Sequence, residues 1–514
     1  MSTYEKVEEK LEEENLNEEV KKNLEERKYR LLEEKKELEK DKKDWTEQVK
    51  EWGKALREFA GGKESLKRKP ENDQEEAYIK KIKGSEFSPS EAAKPINWRK
   101  IQLENSEYAF YNHRPADASG NPVTLQHEII ANLYDDLRYI NPTARDYDFA
   151  LKINYEMSGI TFSSEDERRE SFKTCIYETY KIALNQYTYN NITTDGTILG
   201  GNGKYMLSNL EVKPEMGTVN CCPANQTLVY YAKHVANEFS TDTRSIIRLP
   251  CILLYLAGPY IGMAGAIQGN KFLCDPLSPT LPLLFTQHYQ EYMLSVAKFF
   301  AAYKKALDNL GEYYKNPSHD EPSQLSFPYI RSYKHLDTNL KINFRYIKQL
   351  HEDKLLFLIE LEDEDLPSQL IVKFAKKYGN DAHLVCANLD IAPKLFGIEK
   401  VSGGWFMVVM EYLDGYEAIS EKPSAQIQQQ ICTATQKMHQ AGYVHGDLRH
   451  SNILTKITNG NTKVVFIDYD WADGDGKATY PPFLNLGIPR HHDVSPGGHI
   501  LKEHDEFMVN KYKN

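Results

Sequence analysis

Two groups of side chains have the types and spacing that phosphate chemistry demands. In His445-Gly446-Asp447-Leu448-Arg449-His450-Ser451-Asn452 an aspartate precedes an asparagine by five residues, and the apolar run Val464-Val465-Phe466-Ile467 then ends in Asp468. Phosphoryl transfer needs an acid to orient the attacking hydroxyl and oxygen ligands to hold magnesium on the nucleotide. Asp447 suits the first task, Asn452 and Asp468 the second. The other group lies some 230 residues upstream: Asp195, then an apolar strand Tyr205–Leu210 that ends in Glu211-Val212-Lys213. A carboxylate followed by a strand bearing E-x-K is what metal-dependent phosphodiester cleavage requires. Asp195 and Glu211 would share a divalent ion that polarises the phosphate. Lys213 falls on the same strand face as Glu211 because strand residues alternate, and would position the attacking water.

The elements that must place these groups can be read in outline. Around the first, Leu355–Glu360, Gln369–Phe374 and Phe406–Glu411 read as strands, and Ile427–Gln440 has the helical periodicity that delivers the chain to His445. Around the second, helices are expected near Leu125–Leu137, Ser164–Leu184, Gln226–Asn237 and Gln287–Leu310, with β-like runs at Tyr205–Val212 and Ile246–Leu256. Residues 98–310 therefore read as one mixed domain, 311–326 as a polar linker and 327–514 as another domain. Residues 1–60 are rich in Glu and Lys, with Leu24, Leu31, Leu38, Trp45, Trp52 and Phe59 seven apart. That is a heptad seam, but Lys28, Lys35 and Lys42 occupy its other position. A coiled coil that self-associates and a lone charged helix both fit. Residues 61–97 read as a disordered linker with Lys67-Arg68 and Lys80-Lys81-Ile82-Lys83. Two basic clusters at that spacing match a bipartite nuclear import signal read as extended peptide.

The catalytic-loop sequence and the strand ending in Asp468 resemble the protein-kinase-like superfamily, in its His-Gly-Asp-Leu-x-x-x-Asn form. The resemblance covers about 180 residues. It implies ATP and Mg2+ as cofactors, a protein Ser/Thr residue as acceptor, and further roles. Lys373 would hold the α and β phosphates, and Asp381 on the next helix would pair with it. Glu411 and Leu413 mark the hinge whose backbone would take the adenine, and Arg449 would balance the transferring phosphate. Three departures stand out. No glycine occurs between Gly311 and Gly379, the metal aspartate is followed by Tyr469-Asp470 rather than Phe-Gly, and only 44 residues follow Asp470. With Ile467-Asp468-Tyr469-Asp470-Trp471, Thr479-Tyr480-Pro481 and His504-Asp505, the tail looks like a group of fungal kinase-like domains with a truncated C-lobe.

Asp195 with E-x-K resembles the PD-(D/E)xK restriction-endonuclease-like superfamily. Glu165, one heptad before Phe172 on a face that also holds Ile176, would add a metal ligand. Gln226-Thr227-Leu228-Val229-Tyr230 matches the Q-x-x-x-Y helix of some members. The phrase Leu253–Gly265, with Ala257-Gly258-Pro259-Tyr260, is similar to fungal proteins that join such a nuclease to a kinase-like domain. Those resemble Crinkler-type effector toxin modules, whose usual N-terminal header is not evident here.

Bulk composition bounds these readings. A net charge of −11 argues against a uniformly basic protein that coats nucleic acid, although the acid concentrates in the first sixty residues and in Glu360–Asp365. Seven scattered cysteines with no C-x-x-C pair indicate neither a disulfide framework nor a zinc site. No signal-peptide pattern and no unbroken apolar run of spanning length occurs, so a soluble intracellular protein without a membrane partner is expected, nuclear if the basic clusters act. The expected fold is a multidomain α+β chain: a charged helix or coiled coil, a restriction-endonuclease-like α/β domain, and a truncated bilobal protein-kinase-like domain. The expected function is ATP-dependent phosphoryl transfer coupled to a metal-dependent nuclease-like domain that meets DNA or RNA. The alternative is a nucleotide-binding pseudokinase scaffold with a degenerate nuclease fold for docking.

Overall fold

The run Tyr205–Lys213 is buried along nearly its whole length, and a strand buried on both faces must lie inside a layered sheet. The computed structural model places it there. The structure describes residues 71–512 apart from 105–108, 160–161, 218–219, 286–289, 352–353, 362–367 and 486. The expected charged helix of residues 1–60, with its self-association, lies outside the described residues. The chain divides into two units, Met1–Lys69 with Phe483–Arg490, and Pro70–Pro482 with His491–Asn514. Of the first, the described part is an irregular stretch closed by a turn from Asn485 to Ile488. Among the described residues, the helices and strands all belong to the second.

Its N-terminal half carries α1 (Glu71–Lys83), α2 (Glu128–Tyr139), α3 (Ala144–Gly159), α4 (Glu165–Tyr180), β1 (Gly196–Gly200), β2 (Tyr205–Lys213), α5 (Pro223–Glu238), β3 (Cys251–Ala257), β4 (Tyr260–Gln268), β5 (Phe272–Pro276) and α6 (Gln290–Tyr313). The strands run β1-β2-β3-β4-β5 in space. Only β2 and β3 are parallel, and α5 supplies the crossover that a parallel pair requires. Packing of α4, α5 and α6 against β2 leaves it almost no solvent contact.

In two stretches expected as linkers, the described residues are tied into the fold. Within 61–97, α1 buries Tyr78, Ile79 and Ile82 in the same core as Trp98 and Phe110, because those apolar residues recur at helical spacing on an otherwise charged segment. Lys80, Lys81 and Lys83 sit in its last turn, while Lys67-Arg68 lies outside the described residues. Within 311–326 and just past it, the buried guanidinium of Arg248 gathers Asp320 at 2.6 Å and the carbonyls of Gln324 and Phe327. A buried charge must be paired, and this pairing ties the segment down.

The C-terminal half carries β6 (Ser332–Lys334), β7 (Lys341–His351), β8 (Lys354–Leu361), β9 (Gln369–Ala375), α7 (Asn380–Asn388), β10 (Leu395–Val401), β11 (Trp405–Glu411), α8 (Ala425–Gln440), the hairpin β12 (Ile453–Thr458) and β13 (Asn461–Phe466), and α9 (Lys502–Asn510). The first six strands form one antiparallel sheet in the order β10-β11-β9-β8-β7-β6. Its core includes Leu125, a residue of the N-terminal half with no solvent exposure. Trp405 Nε1 donates to Thr124 Oγ1 at 3.0 Å, Gly403 N to Asp135 Oδ2 at 2.9 Å and Tyr329 N to the Leu125 carbonyl at 2.9 Å. The two halves thus share side chains across their boundary. No helix of the described residues is long and apolar enough to cross a membrane.

Candidate functional site

Lys373 lies in the middle of β9, paired in register with Leu356 on one side and Val408 on the other. Pairing on both sides fixes which face of the sheet the lysine side chain leaves from. Its Nζ meets Asp468 Oδ1 and Asp470 Oδ1, each at 2.5 Å. Asp381, expected as its partner, is exposed in the first turn of α7 and pairs in no such way. Two aspartates after β13 already supply the counter-charge, and one short side chain on α7 is not needed for it. Asp468 itself takes φ +71, a left-handed conformation that costs a non-glycine residue about 1 kcal/mol or more and persists where surroundings over-determine it. Here the surroundings are Ile467 N bonded to the Asn452 carbonyl, and Tyr469, fully buried and stacked on His383 with ring centroids 4.5 Å apart.

The loop before Asn452 is fixed just as closely. Asp447 is buried, and its Oδ2 accepts from Asn452 Nδ2 at 2.9 Å and faces Arg449 Nε at 3.0 Å. The same Asn452 amide donates to the Asp447 carbonyl at 3.0 Å. With both amide protons spent, Asn452 Oδ1 is left as the oxygen to offer a cation, and Ser451 Oγ lies 3.4 Å from it. His445 bonds the Ile467 carbonyl through Nε2 and accepts from Asp447 N through Nδ1, which joins the loop to the strand that bears Asp468. Gly446 sits at φ +82, and a Cβ there would lie 2.7 Å from Ile500 Cδ1. That is the physical reason for glycine between His445 and Asp447.

Charges in this group shift as the geometry requires. Burial works to raise Asp468, but Lys373 and then Lys354 outweigh it and hold the carboxyl well below its ordinary range. Asp470 moves the other way, raised by burial and by the Asp468 charge beside it. Glu411 closes β11 as an exposed residue, with its carboxylate accepting from Lys394 N at 3.1 Å, and Leu413 follows half-buried in the turn.

The second group also converges. Ligand oxygens of Glu165, Asp195 and Glu211 lie within 4.8 Å of one another. Asp195 Oδ2 accepts from Val212 N at 2.8 Å, and Arg169 Nη1 lies 3.3 Å from its Oδ1. Lys213 Nζ meets Glu211 Oε1 at 2.5 Å and Glu165 Oε2 at 3.6 Å. Burial pushes Glu211 up to about 8, with Asp195 adding to it and Lys213 opposing. Glu211 Oε2 is buried with no hydrogen-bond partner, which costs about 1–3 kcal/mol unless something binds there. A divalent cation fits that oxygen and its two carboxylate neighbours. On α5, Tyr230 OH donates to the Thr193 carbonyl at 2.7 Å and Gln226 Oε1 accepts from Cys221 Sγ. The helix thereby braces the turn that carries Asp195.

With both groups placed, comparison with known proteins bears on one. The lipopolysaccharide kinase (Kdo/WaaP) family matches residues 397–475, the stretch that holds Asp447, Asn452, Asp468 and Asp470. The chain is kinase-like. No curated protein matches it. Among solved structures it is similar to the Cydia pomonella granulovirus kinase PK-1, at 18% identity over 32% of this chain and 65% of that one, with a TM-score of 0.24. It is similar also to vaccinia related kinase 3, at 14% identity over 37% of this chain and 68% of that one, with a TM-score of 0.26. The chain thus spans about two thirds of each kinase, just under that share for the granulovirus protein.

Sequence reasoning assigned no role to two residues that the kinase-like geometry brings forward. Asp505, with no solvent exposure, accepts from His445 N at 2.7 Å, Gly446 N at 2.8 Å and His439 Nε2 at 3.2 Å. Asp470 is a second acid on Lys373. A pair of adjacent polar residues near the chain end, His504-Asp505, was the available signal for the first.

Proposed function

We propose that the C-terminal half transfers the γ-phosphoryl group of ATP to a hydroxyl, probed first on protein serine and threonine. The observation that carries this is the linkage of two sites sixteen or more residues apart, Asp447–Asn452 and Asp468, through His445, with Lys373 on Asp468. Asp447, buried and aligned by Asn452, would accept the proton of the attacking hydroxyl. Arg449, beside it, would move onto the transferring phosphate. Lys373 would exchange its carboxylate partners for the α and β phosphates, and the backbone after Glu411, at Leu413, would receive the adenine. Asn452 Oδ1 and the Asp468 carboxylate would hold Mg2+, which neutralises charge on the phosphates when bound. The test is transfer of labelled γ-phosphate by the full chain with Mg2+ and a mixed protein acceptor. Wild type should label and Asp447→Ala should not. ATP binding with no transfer in the wild type would instead favour the nucleotide-binding scaffold.

A second reading rests on the convergence of Glu165, Asp195, Glu211 and Lys213. It is a restriction-endonuclease-like domain in which a divalent ion held by the three carboxylates would polarise a phosphodiester of DNA or RNA, while Lys213 orients water. Similarity to Crinkler-type toxin modules would then make the chain a nuclear-acting effector. Incubating wild type and Lys213→Ala with supercoiled circular DNA and RNA substrates in Mg2+ decides it, since equal nicking or cutting by both removes the assignment.

A further inference from the structure

We infer that Lys354 covers the phosphate tail of the nucleotide beyond the α-phosphate, as a side-chain cation in place of a glycine-rich loop. This rests on the kinase-like reading of the Lys373–Asp468 group.

The hairpin of β7 and β8 borders β9, the strand that presents Lys373, and Lys354 opens β8 directly opposite His351. A loop that cradles phosphates with its backbone N–H groups needs glycine, because a Cβ keeps the chain from approaching closely. This segment has no glycine from residue 312 to 378, so its backbone is unsuited to that task. A lysine reaches further: a flexible four-carbon stem carries a compact charge that binds phosphate without bidentate geometry. The Lys354 ammonium lies 3.6 Å from Asp468 Oδ2, while Lys373 sits on Oδ1 of the same carboxylate. Two lysines from adjacent strands therefore converge on the residue expected to carry the metal and, with it, the tail of the nucleotide. The Lys354 side chain is about half exposed, at 49%, so it is free to turn from Asp468 to an arriving polyphosphate. Lys373, at 14%, is held in the sheet and serves the inner phosphates. The division of labour follows from that difference in freedom.

The test measures ATP, ADP and AMP affinity of the full chain in Mg2+ by calorimetry, for wild type, Lys354→Ala and Lys354→Arg. Lys354→Ala should weaken ATP at least about tenfold, since a charge-assisted contact is lost, weaken ADP less, and leave AMP unchanged. Lys354→Arg should recover most of the ATP affinity. Equal weakening of all three nucleotides, or an unchanged ATP affinity in Lys354→Ala, overturns the inference while leaving the kinase-like reading standing. A wild type that binds none of the three removes both.

Discussion

Removing the Asp505 carboxylate should uncouple the His445–Asn452 loop from α9. The side chain is fully buried and accepts from two consecutive main-chain amides, His445 N and Gly446 N. In Asp505→Ala those two donors lose their acceptor in a place water does not reach. Each unpaired buried group costs roughly 1–3 kcal/mol, so the loop should lose about 2–6 kcal/mol of local stability, a large share of the roughly 5–15 kcal/mol typical of a whole domain. Asp505→Asn keeps one acceptor oxygen and should lose about half as much. Hydrogen exchange followed by mass spectrometry on the peptide spanning Tyr443–Asn452 reads this directly. The lower end of the range corresponds to exchange at least about 30-fold faster at Gly446. If the proposed phosphoryl transfer is this loop's work, it should fall in parallel, because Asp447 directly follows the released amides, while ATP affinity, assigned to Lys373 in that proposal, changes less. Wild-type exchange at Gly446 in Asp505→Ala, with transfer intact, would refute the idea that this carboxylate positions the loop.

Three further outcomes are expected. Gly446→Ala forces a side chain into φ +82 and against Ile500, which should cost about 2–3 kcal/mol in urea unfolding, with partial recovery in the double variant Gly446→Ala/Ile500→Val. His127 is buried, and burial, aided by Arg248, lowers it to about 3. The unfolded chain therefore binds a proton that the folded chain refuses. Stability is full above about pH 6.5 and falls as pH drops from there toward 3, by about 1.4 kcal/mol per unit. His127→Asn, which keeps an acceptor for Ile129 N, should lose less between pH 7 and 5, and identical losses in both proteins would contradict the assignment. Leu125→Ala should cost about 2–5 kcal/mol and open residues 327–411 to limited proteolysis, although Leu125 lies some two hundred residues before them; cleavage confined to the N-terminal half would count against the shared core.

The strands around Lys373 and Asp468 were legible because their apolar runs are short and bounded, and the helix over Ile427–Gln440 because its period is plain. The two carboxylate groups were legible for a different reason, since their chemistry forces residue types at fixed spacing. Boundaries were not. Residues 71–83 are so rich in charge that composition outvoted Tyr78, Ile79 and Ile82, whose burial depends on α5 and β5 far along the chain. Asp320 reads as a polar linker residue until Arg248 is placed beside it. Asp381 was assigned by position along the helix after β9, whereas the ion pair of Lys373 is decided by which carboxylates the chain returns to the same place nearly a hundred residues later. The motif marked Asp468 for that site, but nothing in the order of residues showed that Asp470 would return there with it.

The insertion of Leu125 beneath the sheet of β6 to β11, with Trp405 bonded to Thr124 in return, has a consequence for inheritance and for dissection of the protein. A gene fragment that begins after residue 326 encodes a sheet with a hole in its floor, and one that stops before it encodes a leucine with nowhere to go. Cutting there takes Leu125 out of one core and exposes it on the other half, so both halves should lose stability together. Separating the two proposed chemistries for assay calls for point substitutions in the intact chain, not for scissors.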